Sequence, residues 1–163
     1  MMLLGSERIS WVDPSRYHIT LRFIGKTRIG SIDQIGQALG ERIVLPHKTE
    51  ISINQLGSFG PRDRPRVIWI GFRRNGFFQE LREGVDQALE ENGIRLEETP
   101  FRAHLTLGRI RSLKDRERFH SIIDSMKAEF CGSVLFEKLV FYRSELREEG
   151  PRYTPLFQWE FRD

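Results

Sequence analysis

Apolar residues along this chain switch between a strand-like period of two and a helix-like period near 3.6, and the switches follow one another twice in similar order. Ile9–Val12 reads as a short strand leading to Asp13-Pro14. Tyr17–Ile24 then alternates, with Ile19 and Leu21 on one side of an extended backbone and His18 and Thr20 on the other, and it stops at Gly25. Helical spacing takes over at Ile32, Ile35, Leu39 and Ile43. Ser31 heads that helix with Gln34 at the capping-box position, and Pro46 closes it. Glu50–Leu56 alternates again through Ile51 and Ile53, a Gly/Pro/Arg-rich loop covers Gly57–Pro65, and Arg66–Phe72 holds the unbroken run Val67-Ile68-Trp69-Ile70 of a strand covered on both faces.

The second round has the same grammar. Asn75 is placed to cap a helix over Phe77–Glu91 with Phe77, Phe78, Leu81, Val85 and Leu89 on one stripe, and Gly93 sits at its C-cap. A strand from about Phe101 to Ile110 puts His104 and Thr106 on one face and Leu105 and Leu107 on the other. Lys114–Glu129 is helical, burying Phe119, Ile122, Ile123, Met126 and Phe130. Gly132–Tyr142 and Tyr153–Phe161 close the chain as strands around a charged loop, Ser144–Pro151. In the last strand Tyr153, Pro155, Phe157, Trp159 and Phe161 share a face.

Overlaying the two rounds exposes a duplication. Residues 14–24, P-S-R-Y-H-I-T-L-R-F-I, and residues 100–110, P-F-R-A-H-L-T-L-G-R-I, are identical at six of eleven positions 86 residues apart. Packing accounts for the retained aliphatics, but it gives no reason to keep His and Thr on the polar face of both copies. The predicted fold is α+β: two pseudo-symmetric lobes, with antiparallel sheets lining a central cleft and helices outside, in a single bilobal domain over residues 1–163.

Composition narrows the setting. The single cysteine, Cys131, excludes an internal disulfide and offers no metal cluster, a pattern of reducing compartments. No apolar run approaches a membrane span and Met1–Leu4 is too short for a signal core, so the reading is cytoplasmic with no membrane association. A net charge of +3 permits a polyanionic partner without requiring one. Arg62, Arg64, Arg66, Arg73 and Arg74 bracket the Val67–Ile70 strand; a solvated basic face explains them as well as an RNA path does, and they receive no site role.

Two facing imidazoles suit one class of reaction above others. An in-line displacement at phosphorus needs a proton removed from water while another is given to the leaving alcohol, and imidazole titrates near neutrality. Hydroxyls two residues further along the same face donate to the non-bridging oxygens as charge develops there. Such a site uses no metal and no cofactor. His47 and His120 join no ligand pattern and are expected at the surface.

The words H-I-T-L-R-F-I-G, R-V-I-W-I-G, P-F-R-A-H-L-T-L-G-R and R-Y-T-P-L together resemble the two-histidine (2H) phosphoesterase superfamily, in its RNA 2′,3′-cyclic phosphodiesterase branch, once called 2′-5′ RNA ligases. The resemblance covers about residues 9–161 and implies a cyclic phosphodiesterase acting on single-stranded RNA ends, with no obligate protein partner. It implies His18 as proton donor to the departing ribose oxygen, His104 as acceptor from water, and Thr20 and Thr106 as holders of the phosphate. It also implies a phosphate contact from Arg109 and base stacking on Phe23. Simple alternation puts Phe23 and Arg109 opposite their histidines, so each reaches the site only through a bulge or twist, which Gly108 eases for Arg109. Branch members resemble R-L-F-I-A-I-D before the first motif and Met1–Arg8 do not: either the assigned start is late or the front element is shortened, and an absent central strand would leave an open sheet edge. Alternatives are the same chemistry on small cyclic nucleotides or ADP-ribose cyclic phosphate, 2′-5′ RNA ligation, or an RNA- or nucleotide-binding module without turnover.

Overall fold

The computed structural model of the chain describes residues 4–5, 7–73, 75–126, 132–147 and 150–163. The architecture is α+β, as the alternating periods predict. Strands β1 (Arg8–Trp11), β2 (Thr49–Phe59), β3 (Val67–Phe72), β4 (His104–Ser112) and β5 (Ser133–Phe136) form a sheet in the order β1-β4-β3-β2-β5. Strands β6 (Lys138–Arg147) and β7 (Gly150–Glu160) pair as a separate ribbon. The helices are α1 (Ile32–Arg42), α2 (Asn75–Glu91) and α3 (Arg116–Met126), with single 3-10 turns at Pro14–Arg16 and Ile29–Ser31. Among the described residues no helix is long and apolar enough to cross a membrane.

The chain divides into two compact units, each assembled from three segments. The first holds Met1–Thr20, Ile51–Gly76 and Phe101–Val134; the second holds Leu21–Glu50, Phe77–Pro100 and Leu135–Asp163. The His-x-Thr cores of both phrases therefore fall in the first unit.

In that unit one face of the sheet is apolar and closed. Leu56, Ile68, Ile70 and Leu105 are buried, and the pairing of Leu56 with Ile70 and of Ile70 with Leu105 lines these three up on one face. In helix α3 Phe119 and Ile123 are buried, and Ile123 lines a pocket with Leu56. The Phe130 position predicted for this helix lies outside the described residues.

The second unit is built around α1 and α2. Ile35, Leu39, Ile43, Leu81, Val85, Ala88, Leu89 and Phe161 make one buried cluster, matching the stripes read from the sequence. Gly93 ends α2 as predicted: at φ +75° its N–H donates to Glu90 O at 2.9 Å and Ile94 N–H to Leu89 O at 3.0 Å, a Schellman closure. A Cβ on Gly36 would come 2.4 Å from the Phe157 ring, so this glycine is what lets the ribbon seat on α1.

Several boundaries differ from the sequence reading, each for a local reason. Tyr17–Ile24 is not a regular strand; it is extended and pairs only at Ile19. Ser31 makes no side-chain cap, because the preceding 3-10 turn already places it in helical backbone with its N–H on Arg28 O. The proposed Asn75 cap concerns a side chain outside the described residues. β2 continues through Gly57 to Phe59, and Ser144–Pro151 is mostly ribbon rather than loop. In β7 the register slips at Leu156, where Phe141 faces Phe157 and Tyr142 faces Pro155. That bulge turns Tyr153 and Pro155 to the face opposite Phe157 and Trp159, so the five residues do not share a side.

One carboxylate ties three stretches of the second unit together. Asp86 on α2 takes both Arg22 Nε and Arg22 Nη2, and Arg82 Nε at 3.3 Å. Arg22 Nη1 also donates to Glu97 O and Arg82 Nη2 to Thr99 O, each at 2.9 Å. Hydrogen bonding to Asp86 holds the Arg22 guanidinium above its ordinary pKa, with burial opposing. Both arginine side chains are over nine-tenths buried, so removing their shared anion leaves two uncompensated charges. Asp86→Ala is expected to lower unfolding free energy by about 3 kcal/mol in urea titrations. A loss near zero would show that the guanidinium groups find other partners.

Candidate functional site

The first unit brings the two phrases side by side. β1 runs antiparallel along β4 from the Arg8–Ser112 pair to the Trp11–Gly108 pair, and Val12 N–H still reaches Leu107 O at 2.9 Å. The chain then leaves in the Pro14–Arg16 turn, which Asp13 caps by accepting from Ser15 N–H at 2.9 Å and Ser15 Oγ at 2.7 Å. It returns at Ile19, which makes an antiparallel bridge with Leu105.

Ile19 and Leu105 are the same position of the duplicated phrase. An antiparallel bridge between equivalent residues sets His18 opposite Thr106 and Thr20 opposite His104, and puts all four side chains on the face away from Ile19 and Leu105. The two histidine Cβ atoms then lie on a diagonal of roughly 7–8 Å. All four side chains are half-buried, while Leu105 beneath them is buried.

Both imidazoles are held by the same device. His18 Nδ1 lies 2.9 Å from Arg16 O and His104 Nδ1 lies 2.8 Å from Arg102 O, in each case the carbonyl two residues back. A carbonyl only accepts, so each Nδ1 carries the hydrogen, which leaves Nε2 as the ring atom able to take up or release a proton.

Arg109 joins this face through a bulge. β4 pairs Thr106 with Trp69 but Gly108 with Ile68, so Leu107 is an extra residue and the alternation flips beyond it. Arg109, opposite Val67, therefore shares a face with His104 and Thr106. Gly108 enables the turn of phase: a Cβ there would meet Ile9 Cγ2 at 2.9 Å and the Trp11 ring at 3.0 Å. Phe23 is not in the core; it is 74% exposed and belongs to the second unit. Of the other two histidines, His47 is exposed as expected, whereas His120 is half-buried and bonded through Nε2 to Arg62 O at 2.9 Å.

The sequence reading missed the wall behind His104. Its ring meets Phe59 edge-on at 4.8 Å and Trp69 at 6.4 Å, and Phe59 and Trp69 stack on each other at 4.9 Å. Arg102 lays its guanidinium 4.2 Å over Trp69 and donates to Gln55 Oε1 at 2.8 Å. The only hint was Arg16/Arg102, identical two places before each histidine. Trp69 was hidden inside an apolar run.

Comparison with known proteins bears on the family and the fold. Residues 2–69 and 76–153 match the family described as LigT like Phosphoesterase. A protein of Aeropyrum pernix named RNA 2′,3′-cyclic phosphodiesterase is 30% identical over 148 residues, covering 90% of this chain and 83% of its own. A protein of the same name from Archaeoglobus fulgidus is 30% identical over 158 residues, covering 97% and 87%. Among solved structures, a Thermus thermophilus protein designated TT0787 superposes with a TM-score of 0.73 at 26% identity, covering 99% of this chain and 87% of that one. E. coli LigT in its apo form shares the fold at a TM-score of 0.67 and 20% identity, covering 94% and 81%.

The wall depends on Gly57, where a Cβ would stand 2.7 Å from Trp69 Cζ2. Gly57→Val is expected to displace the indole, cost about 1–3 kcal/mol of stability and change the near-ultraviolet circular dichroism. An unchanged spectrum would mean that the ring is not wedged there.

Proposed function

The chain belongs to the LigT-like phosphoesterase family, and from that membership we propose that it hydrolyses the 2′,3′-cyclic phosphate at an RNA end to a 2′-phosphomonoester, without a metal. The observation that supports this best is the Ile19–Leu105 bridge, which sets two equivalently held imidazoles on one accessible face.

In this mechanism His104 Nε2 takes a proton from water as the water oxygen attacks phosphorus. His18 Nε2–H gives its proton to the ribose 3′ oxygen as that P–O bond breaks. One proton enters the protein and one leaves it, so the pair ends with its charges exchanged and resets by exchange with solvent. The Thr20 and Thr106 hydroxyls donate to the non-bridging oxygens, whose charge rises along the path, and Arg109 adds a guanidinium on the same face.

His18→Ala and His104→Ala are each expected to lower kcat at least ~10²-fold on an oligonucleotide ending in 2′,3′-cyclic phosphate. Rate against pH is expected to be bell-shaped, since one ring must be neutral and the other protonated, and a chelator is expected to leave the rate unchanged. Mapping the product phosphate to the 2′ position by end-labelling checks the direction of opening. Full activity in either alanine variant would overturn the mechanism, and a requirement for added divalent cation would overturn its metal-free form.

A further inference from the structure

A pocket of about 540 Å³ opens behind the His104 wall, within the first unit. Trp69 and Arg102 belong to both: they back the histidine on one side and line the pocket on the other. The rest of the lining mixes apolar side chains, Leu56 and Ile123, with polar ones of both signs. Asn54, Gln55 and Ser58 of β2 contribute amides and a hydroxyl, Arg62 a second guanidinium, and Asp124 of α3 a carboxylate.

This combination is poor for a bare phosphate or an apolar ligand. It suits a nucleotide: guanidinium groups for a phosphodiester, amides for base edges, and a carboxylate that accepts from a ribose hydroxyl or base amino group. The volume is in the range of small-ligand sites. Arg62, Arg64 and Arg66 are exposed along the loop beside it, and such a charge pattern draws in a polyanion. Trp69 adds a buried indole N–H with no protein acceptor among the described residues, in a wall that an acceptor-rich ligand would touch.

We propose that this pocket holds the nucleotide on the 5′ side of the cyclic phosphate, and so makes the site selective for an RNA end over a mononucleotide. The inference rests on the cyclic phosphodiesterase reading, because the His104 wall is what joins pocket to reaction. Trp69 both lines the pocket and packs against the His104 ring, so the pocket borders the imidazole face at that residue.

The test compares adenylyl-adenosine ending in 2′,3′-cyclic phosphate with adenosine 2′,3′-cyclic phosphate. Wild type is expected to prefer the dinucleotide, and Arg62→Glu and, separately, Asn54→Ala to lower the ratio of the two kcat/KM values. For Arg62→Glu the fall is roughly tenfold, the size of one lost charge-assisted hydrogen bond. A readout without turnover uses the indole N–H resonances in ¹H–¹⁵N spectra. Adding the dinucleoside monophosphate adenylyl-adenosine is expected to shift the Trp69 signal, assigned by Trp69→Phe, and Arg62→Glu to abolish the shift. Normal turnover with equal kcat/KM for both substrates and an unmoved Trp69 signal would overturn the pocket while leaving the proposed function standing. A moving Trp69 signal in a protein that turns over neither substrate would support the pocket and sink the catalytic reading.

Discussion

The antiparallel pairing of Ile19 with Leu105 is the constraint on which the site depends. Because the two residues are equivalent in the duplicated phrase, their bridge acts as a local two-fold axis, and every other placement follows from strand geometry. A slip of one residue would turn one histidine and its threonine to the aliphatic side. Register is held from the apolar side, where Leu105 is buried among residues that cannot face water, and from β1, which is already paired to β4 before the turn begins. The first copy needs no full strand of its own. It borrows order from β4 through a bridge at Ile19.

The two imidazoles are held alike at Nδ1 but backed differently. His18 follows a tight turn whose carbonyl, at Arg16, is positioned by the Asp13 cap; His104 stands against Phe59 and Trp69 with Arg102 behind them. A capped turn and an aromatic wall are two ways to the same end, restricting rotation of the ring. Duplication supplied the shared carbonyl contact; divergence of the surroundings supplied the difference between the copies.

The sequence showed the candidate residues more clearly than the geometry that gathers them. Period-two alternation placed His18, Thr20, His104 and Thr106 on polar faces, and helical spacing placed Ile35, Leu39, Val85 and Leu89 in a core, because burial of apolar side chains is what writes those periods. Bulges leave no comparable mark. At Leu107 the extra residue brings Arg109 to the histidine face, and at Leu156 another separates Pro155 from Phe157; both depend on pairing with a distant strand. Gly108 was a hint for the first and nothing signalled the second. Trp69 looked like one more apolar residue of a buried strand, since its run fits burial on both faces and its ring contacts come from residues distant in the chain, Phe59 and His104.

Asp86 anchors the second unit by a different physical means. Arg22 lies at the end of the first phrase and Thr99 just before the second, and both are tied to α2 through the same carboxylate and its two guanidinium partners. Apolar packing alone tolerates sliding, because one aliphatic contact resembles another. A buried bidentate ion pair does not, since each guanidinium has one position in which its charge and its hydrogen bonds are met together. The cost of burying those charges is therefore offset by specificity: the chain around Arg22 and the chain around Thr99 are fixed to a common point on α2.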